Sequence, residues 1–108
     1  MKKLASILVA LVLMVAAFTT PAMAEENLGE MAIVAMAMGM PYFEAIETGA
    51  MAYAEENGYN VTFTGPASCD AAAQANIIKD LISKGVAAIA VSPVDDTSLV
   101  SVLNEAAE

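Results

Sequence analysis

The run Gly39-Met40-Pro41-Tyr42-Phe43 sets two adjacent aromatic rings after an apolar stretch and at the head of an amphipathic one. Flat apolar rings beside the unpaired N–H groups of a helix start suit a polyhydroxylated ring such as a sugar, whose C–H faces stack and whose hydroxyls need hydrogen bonds. Met40, Tyr42 and Phe43 are therefore the candidate binding residues. The same residues also admit a plainer reading, with Phe43 in the core and Tyr42 an ordinary surface ring. Met36, Met38 and Met40 alternate, and soft thioethers in that pattern could hold copper(I). Alternation inside a strand would instead put the three sulfurs on one face as core packing, which is the reading adopted. Cys69 is the single cysteine and lies close to a helix start, but the chain has no histidine with which to build a Cys-His nucleophile. Cys69 is read as a packing residue. No dinucleotide or phosphate-loop glycine pattern follows any apolar run, so neither catalytic residues, nor a metal, nor a cofactor are expected.

The elements that must position these residues follow from periodicity. Met31 to Met38 is almost wholly apolar, as a strand buried on both faces should be. From Tyr42 to Asn57 the residues Phe43, Ile46, Ala50, Met51 and Ala54 form a helical stripe that Gly58 ends. Tyr59 to Thr64 alternates as a strand nearer a sheet edge, closed by Gly65-Pro66. A second helix, capped by Ser68 or Asp70, carries the stripe Ala73, Ile77, Ile78, Leu81 and Ile82 as far as Lys84-Gly85. Val86 to Val91 is a third strand, after which Asp95 or Asp96 caps a helix bearing Leu99, Val102, Leu103 and Ala106. The order β-α-β-α-β-α with short connections predicts an α/β, Rossmann-like, three-layer α/β/α fold: a parallel sheet, right-handed crossovers and helices on both faces. Ligands of such sheets bind beyond the carboxyl ends of the strands, here the loops Gly39 to Phe43, Gly65 to Ser68 and Ser92 to Asp96.

The amino terminus reads as a secretory leader. Lys2 and Lys3 precede an apolar run from Leu4 to Phe18, and Ala22-Met23-Ala24 supplies an A-x-A cleavage site. The run is shorter than the about 20 residues a membrane span requires. Residues 1–24 are thus expected to be a signal peptide that signal peptidase removes after Ala24, leaving residues 25–108 exported and free in the periplasm. Only Lys79 and Lys84 then balance the thirteen acids, a composition that repels phosphate backbones and excludes nucleic acid as a partner.

Gly65-Pro66-Ala67-Ser68, Ala73-Gln74, Ile77-Ile78, Leu81-Ile82, Gly85-Val86, the string Ala88-Ile89-Ala90-Val91-Ser92-Pro93 and Asp95 together resemble the second βαβ unit of type I periplasmic sugar-binding proteins. The likeness covers residues 30–108 and is greatest to the ABC-transporter receptors for rhamnose and autoinducer-2. It implies a periplasmic substrate-binding component that captures a sugar or sugar-like molecule of the rhamnose, autoinducer-2 or ribose class. It further implies capture between two lobes, hinge closure and delivery to an ABC permease in the inner membrane. The family's first loop resembles Gly-Asn-Pro-Phe-Phe, whose paired aromatics contact the sugar; Gly39, Pro41, Tyr42 and Phe43 match it, and Met40 stands in place of the asparagine. Met36 stands where the rhamnose and autoinducer-2 branch often carries a ligand-contacting lysine. The resemblance further implies that residues 25–108 are a partial N-terminal lobe, about three βα units, with the remainder of the cleft beyond Glu108. The principal rival is an exported α/β enzyme or metal-handling protein on a similar sheet.

Overall fold

The structure is a computed structural model and describes residues 29–108, so the expected leader and its cleavage point lie outside the described residues. Three short strands, β1 (Glu30–Val34), β2 (Asn60–Thr64) and β3 (Ala88–Val91), alternate with three helices, α1 (Pro41–Asn57), α2 (Ala71–Lys84) and α3 (Val100–Ala106). The strands form one parallel sheet in the order β2-β1-β3. The expected α/β fold class is the one observed.

Two of the strands are shorter than their apolar runs, and backbone hydrogen bonds explain why. β1 ends at Val34 because the chain then bends away, with the Ala35 N–H still donating to the Thr64 carbonyl at 2.8 Å and the Met38 N–H to that of Pro66 at 2.9 Å. β3 begins late because Gly85 and Val86 are occupied in ending α2: their N–H groups donate to the carbonyls of Ile82 and Leu81. Asp70, rather than Ser68, caps α2, its carboxylate accepting from the Ala73 N–H at 3.0 Å.

Register assigns the faces. Ala32 pairs with Thr62 and Ile89, and Val34 with Thr64 and Val91, so these residues share one side of the sheet. That side carries the core: Ala32 and Val34 pack with Ile78 and Leu81 of α2, Leu99, and Val102 of α3. The other side bears Ile33, Phe63 and Ala90 in one row. There α1 packs against β2 and buries only Phe43 and Ala54, while Ile46 and Met51 of its expected stripe stay exposed. Ala88 and Ala90 are likewise exposed, so β3 is covered on one face, not two, among the described residues.

Candidate functional site at the carboxyl edge

In a parallel sheet of order β2-β1-β3 the chain leaves β1 in one direction and β3 in the other, and the connections diverge onto opposite faces. In sheets of this order ligands bind at that switch point, which here lies beyond Val34 and Val91, between the loop leading to α1 and the loop leading to α3. The last ladder bond before it is from the Ser92 N–H to the Val34 carbonyl, at 2.9 Å.

One wall of the mouth is the start of α1. Met40 occupies the N-cap in an extended conformation; its carbonyl accepts from the N–H groups of Phe43 and Glu44, but its side chain makes no capping bond. Tyr42 is 70% exposed and Phe43 only 5%. The two rings meet edge to face, centroids 5.1 Å apart and planes inclined by 79°. A buried ring thus braces an exposed one, and Tyr42 is the ring with a free face to offer. The methionines are placed otherwise than expected. Because β1 stops at Val34, Met36 and Met38 lie in the bend beyond it, half-buried, and Met40 is exposed; Ala35 and Ala37 are the buried members of that stretch. No strand face of three sulfurs forms. Cys69 is exposed one residue before the α2 cap, not packed.

The opposite wall is the turn after β3. Neither Asp95 nor Asp96 caps α3, whose N-cap is Leu99 with no side-chain capping bond; Asp95 instead organises the turn before it, its carboxylate accepting from the Ser98 hydroxyl and from the N–H groups of Ser98 and Thr97, at 2.6 and 2.9 Å. The Ser98 hydroxyl first, then the two N–H groups, hold the carboxyl down from 3.8 to about 2. Beneath the two loops lies Gln74, wholly buried, whose amide bonds the backbone of Ala35, Ser92 and Val94. Sequence reasoning did not single it out. Its signal was a polar residue in helical register with Ile78 and Leu81, the two most buried apolar positions of α2. Beside it, Gly65 runs so close to β1 that a Cβ would lie 2.8 Å from the Ala35 carbonyl oxygen.

Residues 31–108 match the family described as periplasmic binding protein domain. The chain belongs to the periplasmic binding protein family. Its sheet is that of the type I fold, and it is similar to LsrB from Clostridium saccharobutylicum in complex with AI-2. That likeness has 31% identity and a TM-score of 0.70, over 72% of this chain and 24% of that one. An ABC transporter solute-binding protein from Agrobacterium vitis, bound with alpha-D-tagatopyranose, is similar at 26% identity and TM-score 0.70, over 73% of this chain and 26% of its own. A carbohydrate transporter solute-binding protein from Agrobacterium radiobacter, in complex with D-arabinose, gives 25% identity and 0.71 over 80% and 28%. This periplasmic binding protein chain therefore spans about a quarter of the length of the solved structures it matches. No curated protein matches it.

A second concavity, an open cleft of about 720 Å³, is lined by Glu30, Met51, Glu55, Tyr59 and Val61. It lies at the amino ends of β1 and β2, the edge opposite the mouth, where α1 leaves the sheet incompletely covered. Volume alone does not make it the site: the diverging loops, the exposed ring and the buried amide are all at the carboxyl edge.

Proposed function

We propose that this chain is the first part of the N-terminal lobe of an exported solute-binding protein, and that the crevice between the loops after β1 and β3 holds a neutral sugar or sugar-like molecule. The observation that carries the reading is the coincidence of the topological switch point with the Tyr42–Phe43 edge at its mouth. Tyr42 offers its face to a sugar ring, with Phe43 bracing it from beneath, and Met40 lines the same rim. Charge weighs against an anionic ligand. The mouth loops carry Asp70, Asp95 and Asp96, whereas Lys79 and Lys84 lie along α2 as it runs away from the mouth. The alpha-D-tagatopyranose and D-arabinose bound by two of the similar proteins, one of them an ABC transporter solute-binding protein and the other a carbohydrate transporter solute-binding protein, support the same class.

In this reading the leader directs export, signal peptidase cuts after Ala24, and the ligand is enclosed by hinge closure against a second lobe before delivery to a membrane permease. The role is capture without turnover. Titration calorimetry of the full-length protein against rhamnose, ribose, AI-2, D-arabinose and D-tagatose tests it. Saturable 1:1 binding of at least one sugar is expected, and heat from none of them would overturn the assignment. Mass spectrometry of the exported protein should find Glu25 at the amino terminus.

A further inference from the structure

Gln74 is the one fully buried polar side chain among the described residues, and all its partners are backbone groups of the two loops that form the crevice. Its Nε2 donates to the Ala35 carbonyl at 3.0 Å and to the Ser92 carbonyl at 2.8 Å. Its Oε1 accepts from the Val94 N–H at 3.0 Å. Two carbonyl partners and one N–H partner settle which end of the amide is which. Ala35 is the first residue past β1 and Ser92 the first past β3. The amide therefore joins the two strands one step beyond their last ladder bond, where they begin to separate. It also takes the carbonyl before Pro93 and the N–H after it, the two groups flanking a residue that has no N–H of its own.

The support beneath is rigid. Gln74 sits in the first turn of α2, its own N–H bonded to the Asp70 carbonyl at 2.9 Å, and Ile78 and Leu81 of the same helix face are locked in the core. Gly65 runs close to the same Ala35 carbonyl, whose oxygen would lie 2.8 Å from a Cβ at that position. One side chain thus ties the loop that ends in Tyr42 and Phe43 to the loop that leads into the Asp95 turn.

We infer that Gln74 is a positioning residue for the ligand: it sets the width of the crevice before the ligand arrives. The consequence for binding rests on the sugar reading above; the tie between the loops does not. No other side chain of similar size replaces the amide. A glutamate carboxylate can accept from Val94 but offers the two carbonyls no amide donors, and methionine fills the volume while leaving all three backbone groups unpaired. Without the tie, the loops occupy the binding-competent spacing only part of the time. The apparent affinity then falls by that fraction, through slower association and not through faster release.

Gln74→Met in the full-length protein tests this by stopped-flow sugar binding and amide hydrogen exchange of the ligand-free form. Expected are an association rate lower by about tenfold with dissociation unchanged, and faster exchange at Val94 with α2 amides still protected. A folded variant with association within about twofold of the parent and undiminished Val94 protection would overturn the inference. Should Gln74→Met fail to fold, Gln74→Glu decides: slowed association is expected, and a parental rate overturns the inference. If the parent itself binds no sugar, the functional reading fails, and the Val94 exchange pattern still determines whether Gln74 holds the loops.

Discussion

At the scale of single residues, Tyr42 and Phe43 are neighbours in sequence with opposite physical roles. Tyr42 is 70% exposed, so its removal costs the fold little, whereas Phe43, 5% exposed, anchors α1. In the full-length protein Tyr42→Ala should weaken sugar binding by about 1–3 kcal/mol in calorimetry. Its effect on folding stability should stay within about 0.5 kcal/mol. Phe43→Ala should cost about 3–5 kcal/mol of stability in denaturant unfolding, so any loss of binding there must be corrected for folding. Asp95 makes a separate prediction about pH. Its folded carboxyl is held below its ordinary 3.8, at about 2, so the charged form is favoured in the folded state. The stability this contributes is present above about 3.8 and is lost as pH falls through 3.8 toward 2. Thermal melts of the parent and Asp95→Asn should differ by a constant amount at neutral pH and converge in that acid window; a gap unchanged down to pH 2 would contradict the assignment.

At the scale of elements, helix starts decide how the mouth is built, and α1 and α2 start differently. Asp70 caps α2 through its side chain, while Met40 caps α1 with nothing but its extended backbone. Met40 already has the conformation that an N-cap requires, with φ −96° and ψ 128°, and is 39% exposed, so a capping side chain fits there without repacking. Met40→Asn should therefore stabilise the protein by about 1 kcal/mol, seen as a raised midpoint in chemical denaturation. The same substitution adds a polar group to the rim, so a change in sugar preference accompanied by unchanged stability would mean that the cap does not form. Gly65 belongs to this scale as well. With the Ala35 carbonyl only 2.8 Å from where its Cβ would stand, Gly65→Ala must push β2 and β1 apart at the crevice floor.

At the scale of the molecule, the sheet is finished on one face only among the described residues. α2 and α3 close over Ala32 and Val34, whereas Ala88, Ala90, Ile46 and Met51 stay exposed on the side that α1 covers in part. β3 pairs with β1 alone among the described residues, which leaves its other edge open to pairing. Residues 25–108 expressed by themselves should therefore sediment as concentration-dependent assemblies and bind no sugar measurably. A charge at the centre of the bare face, Ala90→Lys, should shift them toward monomer. A parental segment that sediments as a monomer at all concentrations and melts in one sharp transition would refute this.

Much of this architecture was legible in local sequence, because element type and order depend on periodicities a few residues long. The helical stripe through Ile78 and Leu81, the terminating Gly58 and Gly85, and the apolar runs around Ile33 and Ile89 specify alternating strands and helices, and that alternation specifies a parallel sheet. The string Gly65 to Asp95 was enough to suggest the family to which the chain belongs. What residue types could not decide was how far each apolar run stays in the sheet. Val34 and Met36 are both apolar, yet only the first lies in β1; past it the Ala35 carbonyl is taken by an amide 39 residues away in sequence. Met36 and Met38 left the strand face, and Gln74, a polar residue on an apolar stripe, acquired three backbone partners from two distant loops. Burial and hydrogen bonding between segments far apart in the chain exist only once the sheet has brought those segments together, and it is there that tertiary structure, not sequence pattern, decided the shape of the crevice.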